Sequence, residues 1–330
     1  MPALAVARVA GGVVSSVALI GTGFWAAKLA ETVGKTELEL ASCFSRDEER
    51  RCAFADRFGC TPVASFEEAL ASVDAVLLAT PNDLHAEQTI QAAAAGKHVL
   101  VEKPVAHTIA AGELMRDACE AAGVTLMVGH EMRRLGAARK AKELIDAGAL
   151  GTVVLAEANF SLPSPIKLGT WKAEDARNPG TPLIQLGVHH AETLQYLLGP
   201  VACTTGRLAR VVQQLEIKDV GIATLEFESG ALGVIANSYV SPRTYSIRLH
   251  GTDAVLDYRT DVSMWPAADR LDELTTLTLA GEPVEFEQVD PLREELAEFA
   301  RCIAGEANPE TGAAEGLAAL KVILDAIEYR

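Results

Sequence analysis

The chain has 330 residues, 49% hydrophobic and 22% charged, which is enough to bury a large core spread over two domains. Its formal net charge of −16 excludes a nucleic-acid binder working through a broad basic face. No stretch reaches the about 18 uninterrupted apolar residues of a membrane helix, so the expected partner is a small molecule rather than nucleic acid or membrane.

Residues 1–16 are rich in Ala and Val, but Arg8 is their only charge and Gly11-Gly12 and Ser15-Ser16 interrupt them. They run straight into a glycine turn, where cleavage would destroy the first strand. An unstructured extension is therefore expected, not a secretory signal. The six cysteines (Cys43, Cys52, Cys60, Cys119, Cys203, Cys302) show neither CxxC nor a histidine spacing that reads as a metal site. No metal is expected; buried reduced thiols and a cytoplasmic protein are.

From Val17 to Gly129, β-branched runs alternate with helical stretches. The runs are VALI (17–20), LELASCF (38–44), AVLLAT (75–80), HVLVEKP (98–104) and VTLMVG (124–129), with helices at Phe24–Val33, Asp47–Phe58 and Asn82–Ala95. Continuously apolar strands imply a sheet covered on both faces, hence parallel and doubly wound. Ala137–Ala147 reads as an amphipathic helix stopped by Gly148. Beyond Gly151 the texture changes to strands at 153–161, 202–212, 220–229, 230–240, 245–252 and 254–260. Hairpin turns are expected at Glu228-Ser229-Gly230 and His250-Gly251-Thr252, and helices at Leu183–Leu198 and near the C-terminus. The fold class is thus α/β: a Rossmann-type parallel sheet plus an α+β domain with a large, open, mostly antiparallel sheet. The expected division is an extension over 1–16, a dinucleotide-binding domain over 17–135, and a substrate-binding and oligomerisation domain over 136–330.

Ile20-Gly21-Thr22-Gly23-Phe24-Trp25-Ala26 follows the first strand and opens a helix. Gly21 permits a tight turn, Gly23 lets backbone approach a pyrophosphate, and Ala26 allows close helix–strand packing. At the end of the second strand, where an acidic residue would bind the ribose of NAD, stand Ser45 and Arg46, with Arg50 one turn on. A hydroxyl and a guanidinium suit a 2′-phosphate, so NADP is expected over NAD. Thr80-Pro81-Asn82 ends the third strand; it caps a helix, and its side chains can also reach the nicotinamide half.

Lys103 closes a buried strand ahead of a proline, which favours an extended backbone. A partly desolvated ammonium there can exchange a proton with a substrate hydroxyl; the plainer alternative is an ion pair with Glu102 or a surface lysine. In TPLIQLGVHHAETLQYLLG (181–199), Gln185 and His189 lie four apart, as do Leu186 and His190. His189 is read as a proton donor or relay, against the alternative of a satisfied core histidine.

Taken together, LIGTGFWA, LLATPNDLHAEQ, AAAAGKHVLVEKPV, VGHEMRR and GVHHAETLQYLLG resemble the glucose–fructose oxidoreductase / inositol dehydrogenase / MocA (Gfo/Idh/MocA) family, in its order and near its spacing. The resemblance implies hydride transfer between a nicotinamide and a sugar, cyclitol or related alcohol or ketone. It makes Lys103 the family's EKP lysine and His189 the histidine ending its D-x-x-x-H pattern. Trp171-Lys172 resembles a pair that often lies near nicotinamide and substrate. Two further cofactor contacts, His85 and Glu102, fall inside the matching strings.

The sequence departs from the family at Gln185, where aspartate is usual: glutamine can hydrogen-bond a hydroxyl but neither takes its proton nor steadies an imidazolium by charge. Lys103 and His189 are left as the acid–base groups, with Gln185, Trp171, Lys172, Arg133, Asn178 and His190 expected around the substrate. Two alternatives stay open: a cofactor-bound sugar sensor without turnover, and a dehydrogenase of a non-sugar such as an aromatic dihydrodiol or hemiacetal. A homodimer or homotetramer through the open sheet is expected, since exposed strands invite covering.

Overall fold

The structure, a computed structural model, describes residues 15–164, 166, 170–215, 217–261 and 270–328. In the first half, β1 (Ser15–Ile20), α1 (Phe24–Val33), β2 (Leu38–Phe44), α2 (Glu48–Phe58), β3 (Thr61–Pro62) and α3 (Phe66–Ala71) precede β4 (Ala75–Leu78) and α4 (His85–Ala94). Then come β5 (His98–Glu102), α5 (Ile109–Ala122) and β6 (Leu126–Gly129). The strands are parallel in the order β3-β2-β1-β4-β5-β6, so the chain reverses direction of winding between β1 and β4. Ligands of such sheets bind at the carboxyl edge of that switch point.

The apolar runs explain the sheet: every residue of β4 and of β6 is buried, as expected of strands covered on both faces. Several runs overshoot their strands. AVLLAT ends as strand at Leu78 and HVLVEKP at Glu102, which leaves Thr80 and Lys103 in loops beyond the sheet edge. The extension boundary is corrected at its inner end. Ser15 and Ser16 already belong to β1, where Ser16 gives both its backbone N–H and its hydroxyl to Asp74 Oδ2 at 2.7 and 2.8 Å. Residues 1–14, and with them the expectation of an unstructured extension, lie outside the described residues.

The second half contains α6 (Gly136–Asp146), β7 (Val153–Ser161), α7 (Val188–Leu198), β8 (Val201–Ala209), β9 (Val220–Phe227), β10 (Leu232–Ser238), β11 (Thr244–Gly251) and β12 (Val255–Thr260). They are followed by β13 (Thr275–Leu279), β14 (Glu282–Pro283), α8 (Pro291–Ile303) and α9 (Ala313–Glu328). Among the described residues, the eight strands run β14-β13-β12-β11-β7-β10-β9-β8, antiparallel except for the β7–β10 pair. Residues of β9 alternate buried and solvent-facing, the period of a sheet covered on one side. On the other side Leu155, Ile222, Leu232 and Val255 are exposed and share one face by register.

Gly148 adopts φ +74° after α6, the left-handed stop read from its position. The helix expected at Leu183–Leu198 is two pieces, a π-helical turn over Leu183–Gly187 and then α7. α8 lies late in the chain yet packs Leu292, Leu296 and Phe299 against Val17, Leu19 and Leu29 of the parallel sheet and α1. A boundary at 135/136 therefore separates the two sheets but not this helix. Of the cysteines, Cys43, Cys119 and Cys302 are buried while Cys203 is exposed, so the expectation of buried thiols holds for only part of the set. No helix of the described residues is long and apolar enough to cross a membrane.

Candidate active site

A continuous cavity of about 950 Å³ runs from the β1–α1 turn, across the carboxyl edge of the parallel sheet, to the inner face of the second sheet. Its first section is the glycine turn. Gly21 has φ +109°, and a Cβ there would lie 2.5 Å from the Ala79 carbonyl oxygen, so only glycine lets β1 and β4 approach this closely. Gly23 is different: a Cβ on it would meet nothing within 4 Å, because it faces the open cavity. Gly23 also caps α1, whose first turn carries neither an acidic residue nor a side-chain cap. Backbone N–H groups at the start of this ten-residue helix thus remain available to an anion such as a pyrophosphate. Thr22, Phe24, Trp25 and Ala26 complete this wall.

At the adenosine end the lining passes through Ser45, Arg46, Asp47 and Arg50. Asp47 caps α2 by accepting from the Arg50 backbone N–H at 3.0 Å, and the Arg51 guanidinium donates to the Ser45 carbonyl at 2.8 Å, so this loop is held from within the fold. Arg46 is exposed, its charge free to meet a phosphate.

The rest of the lining carries the lysines, the histidine and the carboxyl groups. Thr80, Pro81 and Asn82 line the cavity from the β4 loop, and Glu102 and Lys103 from the end of β5. The Lys103–Pro104 peptide is cis. Lys103 Nζ donates to the Gln185 backbone carbonyl at 3.3 Å. Gln185 lies in the π-helical turn Leu183–Gly187. Gln185 spends its side-chain Nε2 on Asn178 Oδ1 at 2.8 Å. His189 lies on the first turn of α7, its ring 5.6 Å from that of Phe160. Lys172 sits over the Trp171 ring at 5.7 Å, and both line the cavity.

Burial dominates the electrostatics. It drives the His189 imidazole well below its usual range, aided by Lys103, His130 and His190, so this ring is neutral at pH 7. Burial, then the Lys103 charge, lowers the Lys172 ammonium. Glu102, hydrogen-bonded by Trp25 Nε1, is pushed up by burial and by Glu131, against the pull of Lys103. Glu131, which opens the short 3-10 helix after β6, is raised by burial to about 7 although Lys103 draws it down.

Most residues singled out in the sequence do line this one cavity: Gly21 through Ala26, Ser45, Arg46, Thr80 to Asn82, Glu102, Lys103, Trp171, Lys172, Gln185 and His189. Four do not. His85 is fully buried behind the lining, its ring nitrogens 3.0 Å from the carbonyls of Thr80 and Pro104, where it ties the two catalytic-edge loops together. Asn178 is a support for Gln185 and for the Lys172 carbonyl. Arg133 is committed to Glu192 and to the Glu310 carbonyl. His190 faces away, stacked on Tyr245 at 4.6 Å. Conversely, Glu131, Phe160, Ser164 and Tyr239 line the cavity without having been singled out. Glu131 stood inside the quoted string VGHEMRR, and a carboxylate beside a strand's carboxyl end was the available signal.

Comparison with known proteins converges on one family. The model described as "Oxidoreductase family, NAD-binding Rossmann fold" matches residues 15–130, and the GFO/IDH/MocA C-terminal domain matches residues 138–257. The chain belongs to the GFO/IDH/MocA oxidoreductase family. Within the family it is 33% identical to D-xylose 1-dehydrogenase (NADP(+)) 2 of Haloferax volcanii, over 94% of this chain and 95% of that one. It is 29% identical to 1,5-anhydro-D-fructose reductase of Ensifer adhaerens, over 84% and 85% of the two chains. A crystal structure of a proposed NADPH-dependent oxidoreductase from Desulfitobacterium hafniense is 38% identical and overlays with a TM-score of 0.90, covering 96% of this chain and 95% of its own. In this GFO/IDH/MocA oxidoreductase residues 15–130 form the NAD-binding Rossmann domain, and the cavity is lined in part by its glycine turn.

Proposed function

We propose that this oxidoreductase prefers NADP(H) and acts on a hydroxyl-bearing carbon of a sugar, cyclitol or related polyol, or on the corresponding ketone. The observation that carries the reading is the position of Lys103. It lines the same cavity as the glycine turn, with its Nζ on the Gln185 carbonyl and its charge acting on His189, where a substrate hydroxyl has room to enter. The bound nicotinamide supplies or accepts the hydride. In oxidation Lys103 takes the hydroxyl proton as the C–H bond is broken, and in reduction it returns it. His189, neutral, relays that proton or holds the substrate oxygen by a hydrogen bond. Gln185, Trp171 and Lys172 orient the substrate, Gln185 through the side-chain carbonyl that Asn178 leaves unoccupied.

Ser45 and Arg46 favour the 2′-phosphate of NADP for the charge reasons given above, and the NADP(+) named for the Haloferax relative supports the same preference. The names of the xylose and anhydrofructose enzymes support a sugar-like substrate. Free thiols in a chain with six cysteines fit the cytoplasm. The exposed face bearing Leu155, Ile222, Leu232 and Val255 is the surface we assign to a homodimer or homotetramer.

The test is absorbance at 340 nm with NADP or NAD and a panel of aldoses, cyclitols and other polyols. Turnover of at least one sugar-like alcohol, faster with NADP, is expected. Cofactor binding with no turnover on any panel member would favour a cofactor-bound sensor instead.

A further inference from the structure

Replacing an aspartate by Gln185 removes a negative charge from beside Lys103 and His189, and the fold returns one from a different element. Glu131 is 1% exposed, lines the cavity, and lies with Oε1 3.8 Å from His189 Nδ1. That distance is within ion-pair reach and too long for a hydrogen bond. Neither carboxylate oxygen of Glu131 has a hydrogen-bond partner among the described residues, and His189 Nδ1 has none either. A buried carboxylate left this way is costly unless a cation or a substrate group answers it.

We propose that Glu131 is the positioning carboxylate of this site, supplying from the end of β6 the charge that Gln185 no longer supplies from the π-helical turn. The inference rests on the proton-transfer reading of Lys103. In enzyme whose Lys103 is the free amine, the proton passes to it as the substrate O–H bond breaks, and the resulting ammonium is balanced by the Glu131 carboxylate. When the proton passes through His189, the transient imidazolium faces the same carboxylate at Nδ1. No electron leaves the pair formed by substrate and nicotinamide, and the proton is the only group Lys103 gains.

The surroundings define when Glu131 is ionised. Lys103 and Arg134 favour its charge, burial opposes it, and Glu102, Glu295 and Tyr245 are carboxyl and phenol groups whose ionisation it disfavours. His189 and His130 are held neutral by burial and add no standing charge. Glu131 therefore titrates near neutrality, at about 7, where a change of charge alters a rate measured at physiological pH.

Two experiments decide the proposal. In the cofactor-free protein, 13C-glutamate NMR should show a carboxyl titrating near 7 that is absent from Glu131→Gln and moves to higher pH by more than about 0.5 in Lys103→Met. A midpoint indifferent to Lys103 would overturn it. In turnover, Glu131→Gln should lower kcat about 10- to 100-fold with the cofactor dissociation constant within about twofold, and flatten the acidic limb of the kcat/KM profile. Adding Gln185→Asp to that variant should restore at least about tenfold. A structural role for Glu131 would not be rescued from position 185, so failure of rescue in a variant that still binds cofactor overturns the proposal. Wild-type protein without turnover on any substrate would overturn the reading of Lys103, and the cofactor-free titration would still judge Glu131.

Discussion

Gly21 and Gly23 sit two residues apart, yet alanine at each should fail in a different assay. At Gly21 the added Cβ would sit 2.5 Å from the Ala79 carbonyl oxygen, inside the 3.4 Å at which ordinary contact begins, on a backbone with φ +109°. The turn must retreat from β4 by roughly 0.5–1 Å and still hold a left-handed alanine. Strain and overpacking together cost roughly 2–4 kcal/mol, or roughly 3–6 °C in thermal midpoint. At Gly23 the backbone (φ −82°, ψ −174°) is open to any residue and the Cβ meets nothing within 4 Å. Stability should fall by no more than about 1 kcal/mol, the cost of a poorer helix cap. That Cβ would instead occupy the approach to the α1 N–H groups, so cofactor affinity should drop at least about tenfold. Differential scanning calorimetry and nicotinamide fluorescence titration separate the two. Gly23→Ala binding cofactor as the wild type does, or Gly21→Ala melting with it, would refute the account of this turn.

Arg46→Glu places a negative charge where the 2′-phosphate is expected; NADP affinity should fall at least about tenfold and NAD affinity change less than about threefold, and equal losses would contradict the assignment. Arg134→Met strips a buried guanidinium from Glu298 at 2.8 Å and Glu295 at 3.5 Å, so urea unfolding should show a loss of about 3–5 kcal/mol. Less than about 1 kcal/mol would mean the pair is not isolated from solvent. Glu131 is raised from 4.5 to about 7 on folding, so between these values the folded protein keeps a proton that the unfolded chain has released. Stability must then fall as pH rises through that window, by up to about 3 kcal/mol from this one group. Glu131→Gln should make the decline shallower, and an unchanged slope from pH 5 to 7 would count against it.

What could be read in the sequence follows from how local its cause was. The glycine turn, the buried strand delivering Lys103 and the Gly148 stop each depend on a few adjacent residues, and the structure has them where the pattern put them. The histidine pair was harder. Spacing along a regular helix set Gln185 and His189 on one face, but the π-helical turn shifts the winding between them, and only the cavity tells His189 from His190. His85 and Arg133 are polar groups whose partners come from distant loops, at Pro104 and Glu310, so no window of sequence reveals that they support the site from behind. Glu131 escaped for the same reason: a carboxylate on a four-residue helix has no periodicity, and its meaning depends on Lys103 and His189 meeting it across the sheet edge. The packing of α8 against α1 likewise joins positions far apart in the chain.

The central claim is that Lys103 transfers the proton in a nicotinamide-dependent reaction in this cavity. It is tested most directly by Lys103→Ala, followed at 340 nm with a substrate the wild type turns over, alongside cofactor titration. The account predicts that kcat falls by at least about a thousandfold while the cofactor dissociation constant stays within about threefold. Undiminished turnover in Lys103→Ala, with cofactor still bound, would contradict it.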